Sequence, residues 1–147
     1  MRRCPCSRWA GKPVLDTINY IPQCDSPIGF RGSLSSSEVL QQHLGTAQVV
    51  KVFNSINSWH LASLGRPAGA PARSALPIAG DDPAANAAVT RFLDAIGYET
   101  LDGGPLGSGG RRFQLGTPAF VAPHGAFGDQ RGTPAGVAAA IRVALSV

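Results

Sequence analysis

The stretch Gln48-Val49-Val50-Lys51-Val52-Phe53 decides how this chain is read. It is β-branched and almost uniformly apolar, and it breaks at Asn54-Ser55-Ile56-Asn57. A strand exposed on one face would alternate, whereas an unbroken apolar run predicts a strand buried on both faces, as in a sheet covered by helices.

The flanking segments continue that pattern. Upstream, Ser35-Ser36-Ser37-Glu38 predicts the start of a helix, with Ser35 as N-cap and Glu38 closing a capping box. Leu40, His43 and Leu44 recur at helical spacing, and Gly45 is a natural stop. Pro13-Val14-Leu15-Asp16-Thr17-Ile18-Asn19 predicts another short buried strand, followed by a Pro- and Gly-punctuated loop over Tyr20–Ser33. Residues 1–12 carry no period and read as a loose lead-in.

Downstream, a short helix carries Trp59, Leu61 and Leu64 and ends at Gly65, and residues 66–74 form a Pro/Gly/Ala loop. Leu76-Pro77-Ile78-Ala79 reads as a strand, with Pro77 suggesting an edge or terminal position. Asp82-Pro83 is an N-cap followed by proline at the first helical position. The helix behind it turns Ala85, Ala88, Val89, Phe92, Leu93 and Ile96 to one face and stops at Gly97. Tyr98–Leu101 is a further strand, Asp102–Gly110 a Gly-rich loop, and Thr133-Pro134 opens an Ala-rich helix over 134–146, with Gly136 inside it. Residues 111–132 show scattered turns only. Strands alternating with helices predict an α/β domain, a partial Rossmann-like, doubly wound and mostly parallel sheet with flanking helices over 13–147.

The 147 residues suffice for one domain. Apolar residues make up 44% and charged residues 15%. No apolar run approaches the roughly 20 residues of a membrane span. The net charge of +4 comes mostly from scattered arginines, without the clustered basic face expected of a nucleic-acid binder. Cys4, Cys6 and Cys24 lack metal-site spacing, as do His43, His60 and His124, so reduced thiols and no metal are expected. Met1-Arg2-Arg3 is not followed by an apolar core before Lys12, which makes the cytoplasm the expected compartment.

In open α/β sheets, ligand-binding groups gather beyond the carboxyl ends of the strands. Here those ends are Asp16–Asn19, Asn54–Ile56, Gly80–Asp82 and Asp102–Gly104. None supplies a nucleophile with a base. Asp81-Asp82 reads as helix capping, and Gly103-Gly104…Gly109-Gly110 reads as a flexible loop more than a phosphate cradle. His124, in a Pro/Gly loop, reads as exposed. Asn19 and Asn54 are turn residues or ligand-bonding groups, and Arg111–Arg112 are solvated or grip an anion.

Taken in order, Asp16-Thr17-Ile18-Asn19-Tyr20, Ser35–Leu40, Val49-Val50-Lys51-Val52-Phe53-Asn54-Ser55-Ile56, Pro77-Ile78-Ala79-Gly80-Asp81-Asp82, Leu101-Asp102-Gly103-Gly104-Pro105-Leu106 and Arg111…Thr117-Pro118 resemble the C-terminal part of the NADP oxidoreductases that depend on coenzyme F-420, a deazaflavin. The likeness runs from about Trp9 to Pro118. It implies NADP(H) and coenzyme F-420 as cofactors, with hydride passing directly between nicotinamide and deazaflavin while the protein orients the rings and excludes water. Carried over by position, Thr17 and Asn19 flank the nicotinamide side. Asn54, Ser55 and Ile56 lie between the two rings, and Arg111 and Thr117 lie near the deazaflavin.

The family's Gly-rich fingerprint has no counterpart, since no G-x-G-x-x-G occurs anywhere in the chain. The resemblance therefore implies a truncated or split member whose Val14 and Val49 strands expose apolar faces or edges, with activity in isolation in doubt. Its partners would be small-molecule cofactors, with no nucleic acid or membrane, and either a second copy in a homodimer or a separate nucleotide-binding half. Two alternatives stay open: an NADP-dependent reductase of an imine, keto acid or metal chelate, and a non-catalytic interaction module.

Overall fold

A computed structural model describes residues 6–21, 23–25, 34–125 and 138–146. Four strands, β1 (Pro13–Asp16), β2 (Gln48–Lys51), β3 (Ala75–Gly80) and β4 (Glu99–Asp102), form one sheet in the order β1-β2-β3-β4. The helices are α1 (Ser36–Leu44), α2 (Ser58–Ser63), α3 (Pro83–Ala95), α4 (Leu106–Gly110) and α5 (Ala138–Leu145). The α/β, Rossmann-like architecture expected from the sequence is what is found. Two of the three strand pairings are parallel, β1 with β2 and β3 with β4, while β2 and β3 run antiparallel.

The chain is thus two β-α-β units joined back to back. Because a crossover of fixed hand places its helix according to strand direction, reversing the second unit puts its helix on the opposite face. α3 packs with α2 over one face, where Val50, Val52, Leu76, Ile78, Ala85, Val89, Leu93 and Tyr98 form a core. On the other face Ala75, Ala79, Leu101, Phe113 and Ala119 pack against Ala138, Ile141 and Leu145 of α5. The two units meet over two residue pairs, Val50 with Gly80 and Lys51 with Ala79.

Capping explains most helix boundaries. Ser35 accepts from the Glu38 amide at 3.3 Å while Glu38 accepts from the Ser35 amide at 2.6 Å, which is the expected capping box. Asp82 caps α3 through the Ala85 amide at 2.7 Å. Asp81 caps α4 in turn, its Oδ1 accepting from the Leu106 amide at 2.8 Å.

Several local expectations are corrected. β1 stops at Asp16 rather than Asn19 because the Asp16 carboxylate accepts from the Ile18 amide at 3.0 Å and turns the chain. β2 stops at Lys51 because Phe53 adopts φ 66°, outside any strand conformation. Pro77 lies in the interior strand β3, not at an edge. The β2–β3 register carries it past the end of β2, so its missing N–H breaks no ladder bond. Val49 is buried and β2 is central, so only β1 presents an edge from the first unit.

The lead-in is ordered where it is described. Cys6–Trp9 form a short helical turn, and the Gly11 amide donates to the Thr46 carbonyl at 2.9 Å. Residues 1–5 and 134–137, parts of the expected lead-in and last helix, lie outside the described residues, as do 22 and 26–33 of the loop. No helix among the described residues is long and apolar enough to cross a membrane.

The Gly-rich 102–110 segment is not a flexible loop. Its second half is α4, lying over β3 beside α1, and its glycines permit that approach. A Cβ at Gly109 would collide with the Gly103 carbonyl oxygen, and at Gly110 one would stand 3.1 Å from Cδ of Lys51. Gly109→Ala is expected to cost about 1–3 kcal/mol, because the obstacle is backbone that cannot rotate away. A lowered urea midpoint would report it.

Candidate functional site

The strand ends expected to gather at one edge are split by the reversal of β3. Asp16–Asn19 and Asn54–Ile56 lie at one end of the sheet, Gly80–Asp82 and Asp102–Gly104 at the other. α4 then carries the chain back across the face, returning Arg111 and Phe113 toward the first end.

At that end Asn19 and Asn54 are brought together. Asn19 Nδ2 donates to the Asn54 carbonyl at 2.7 Å, and Asn54 Nδ2 donates to Asn19 Oδ1 at 3.1 Å and to the Phe113 carbonyl at 2.9 Å. One side chain thus ties the ends of two strands to the returning segment. Ser55 is fully buried, and its carbonyl accepts from the Val121 amide at 3.0 Å. Ile56 belongs to the core around α3. Arg111 reaches α1, where its Nη2 lies 3.0 Å from Glu38 Oε2. Glu38 is held below the ordinary carboxylate range, chiefly by its bond to the Ser35 backbone, with Arg111 adding to the effect. Thr117 closes its own turn, Oγ1 donating to the Gln114 carbonyl at 2.8 Å. Thr17 is exposed on the rim.

Beneath this rim lies a constellation that sequence reasoning passed over. Lys51 is 2% exposed, and its ammonium donates to the Ile18 carbonyl at 2.9 Å and to Ser37 Oγ at 3.2 Å. Asp16 Oδ2 stands 3.8 Å away and accepts from Ser37 Oγ at 2.5 Å. Burial pulls the Lys51 pKa below the ordinary lysine range, and Asp16 opposes the shift. A lysine in an otherwise apolar central strand was the available signal, because such a charge is retained only with a partner.

His124 corrects a second expectation. It is 1% exposed, and burial, with His60 beside it, pushes its pKa down to about 4. The residue that ties this segment to Ser55, Val121, has φ 60°, a genuine outlier for a β-branched side chain. Three buried side-chain atoms in this part of the chain lack a hydrogen-bond partner among the described residues: Asn54 Oδ1, Ser55 Oγ and His124 Nδ1. Native interiors leave few such groups, and a buried water is the usual way they are satisfied. No cluster of three or more His, Cys, Asp or Glu able to hold a metal occurs among the described residues.

No protein-family model and no curated protein matches the chain. Solved structures do. A hypothetical protein from Sinorhizobium meliloti is 30% identical with a TM-score of 0.63 over 78% of this chain and 54% of its own. A protein from Arthrobacter sp. FB24, provisionally named an F-420-dependent NADP-reductase, is 26% identical with a TM-score of 0.54 over 69% of this chain and 47% of its own. The chain spans about half the length of the structures it matches. The likeness to the Arthrobacter protein agrees with an oxidoreductase-like fold.

Proposed function

We propose that this chain forms the strand-end wall of a site where NADP(H) meets a deazaflavin of the coenzyme F-420 type. The observation that carries this reading is the Asn19–Asn54 pair, with the unsatisfied Asn54 Oδ1 and Ser55 Oγ beside it. The Asn19 amide at the rim suits the amide edges that nicotinamide and deazaflavin present, and the buried Asn54 holds it in place. Both atoms lie under the segment that runs from Phe113 to His124, which leaves Thr17 and Asn19 as the open rim. When bound, the cofactors supply the hydride donor and acceptor. The chain's residues orient them and exclude water. Arg111, held by Glu38, and Thr117 border the same side. A cytoplasmic location accords with this reading.

A second reading has its own support. β1 is an edge strand, and Trp9, Leu15, Ile18 and Ile21 on or beside it are exposed apolar residues. Such an edge pairs readily with another strand. In this reading a nucleotide-binding polypeptide docks there and supplies the pyrophosphate site.

One experiment addresses both readings: NADPH fluorescence titrated with the 147-residue chain alone, and with the chain mixed with the part of the Arthrobacter protein it does not match. Saturable binding in the mixture, weakened about tenfold or more by Asn54→Ala, is the expected result. No binding in either sample, or binding indifferent to Asn54→Ala, overturns the cofactor assignment.

A further inference from the structure

Ile18 stands at the middle of the Thr17–Asn19 rim with its side chain 56% exposed, so apolar burial does not hold the rim in place. Its backbone is held instead. The Ile18 amide donates to Asp16 Oδ1 at 3.0 Å, and the Ile18 carbonyl accepts from the Lys51 ammonium at 2.9 Å. Each group belongs to a planar peptide unit shared with a rim residue, the amide with Thr17 and the carbonyl with Asn19. Fixing both planes fixes the directions in which the chain enters and leaves Ile18.

The two partners are anchored beneath the rim. The β1–β2 register sets Asp16 beside Lys51 on one face of the sheet. Ser37 of α1 bonds to both, its Oγ donating to Asp16 Oδ2 at 2.5 Å and accepting from Lys51 Nζ at 3.2 Å. On the same face α4 closes over the lysine stem, with Gly110 so near that a Cβ there would stand 3.1 Å from Lys51 Cδ. Asp16, Lys51 and Ser37 are all buried, so whatever they do at the rim passes through Ile18. Replacing a buried ion pair by apolar side chains is often neutral for stability. Fold stability alone therefore does not account for an ammonium aimed at the carbonyl of an exposed turn.

We propose that the Asp16–Lys51 pair, braced by Ser37, positions the Thr17–Asn19 rim for its ligand. The hold passes from Ile18 to Asn19, whose side-chain amide donates to the Asn54 carbonyl at 2.7 Å and whose Oδ1 accepts from Asn54 Nδ2 at 3.1 Å. A rim set in this way meets the amide edge of a nicotinamide without the ordering entropy that a loose loop loses on binding. What the rim receives rests on the cofactor reading above, whereas the hold on Ile18 is a property of the chain alone. Asp16, Lys51 and Ser37 are positioning residues.

Two variants separate positioning from stability. Lys51→Met removes the donor to Ile18. Asp16→Asn combined with Lys51→Met also removes the uncompensated charge, so it regains stability while the Ile18 carbonyl still lacks its donor. Hydrogen exchange of the Asn19 side-chain and backbone amides, followed by NMR on the full chain, is expected to quicken about tenfold or more in both variants. Exchange of the core Leu76 amide should instead follow stability and slow again in the double variant. NADPH affinity in the mixed sample described above, measured where each variant is folded, should fall about tenfold or more in both. Asn19 exchange restored in the double variant in step with Leu76, or NADPH affinity unchanged in both variants, would overturn the proposal. Absence of NADPH binding by the wild-type mixture would overturn the cofactor reading instead, and Asn19 exchange alone then decides whether the pair holds the rim.

Discussion

Lys51→Met is expected to lower stability by about 3–5 kcal/mol, the usual result of removing one partner from a buried ion pair. The substitution conserves length, so little of the loss comes from a cavity. What remains is the Asp16 carboxylate, 2% exposed, still bonded to Ser37 and the Ile18 amide but without a nearby cation. The Ile18 carbonyl loses its donor as well. For a domain of this size the melting temperature should fall by on the order of 10 °C. Asp16→Asn combined with Lys51→Met should recover part of the loss, because the uncompensated charge is gone while a hydrogen-bonding side chain stays. Thermal unfolding of the two variants provides the check. A double variant no more stable than Lys51→Met alone would show that the lysine acts through packing and not through charge.

The second large effect is an acid sensitivity centred on His124. Its pKa is about 4 in the folded chain, against the 6.5 of an exposed histidine. Above pH 6.5 both the folded and unfolded chains carry it neutral, and the stability it permits is fully present. Between 6.5 and 4 the unfolded chain takes up the proton and the folded chain does not, so stability falls with pH, by about 3 kcal/mol across the window. Urea midpoints measured from pH 7 to pH 4 should show this slope, and His124→Gln should flatten it. Glu38 is also depressed, and its loss begins only as pH falls below the ordinary carboxylate value of 4.5. The two contributions are therefore separable by pH. A wild-type slope retained in His124→Gln would assign the sensitivity elsewhere.

The architecture was legible because its signals are local. Ser35 and Glu38, Asp82 and Pro83, and the Val49–Val52 run each act on neighbouring residues, and each produces the expected element. The reversal of β3 was not legible, since nothing in Leu76–Ala79 encodes direction. Direction is set by the 52–74 connection, which remains at one end of the sheet and brings β3 back beside β2. The Gly-rich segment misled for a related reason. Glycine signals freedom in the sequence, and here it serves close packing of α4 against the backbone of Gly103.

At the candidate site, Asn19 and Asn54 could be named from strand-end position, but their mutual bonding could not. Lys51 was passed over and His124 was misjudged because their roles depend on residues far along the chain. Ser37 is 14 positions from Lys51, and His60 is 64 from His124. Arg73 is a similar case: it joins Asp94 and the Gly97 carbonyl, 21 and 24 positions along the chain.

The two-rung contact between β2 and β3 has a mechanical meaning. Each β-α-β block is braced by its own parallel ladder and helix, and the short antiparallel joint holds them together with the shared core under α3. Three links cross from the second block and the segment after it to the strand-end site: Gly110 against the stem of Lys51, the Phe113 carbonyl on the Asn54 amide, and the Val121 amide on the Ser55 carbonyl. A shear along the joint would strain all three links. A displacement of the β3–β4 block would therefore bear directly on the Asn19–Asn54 pair.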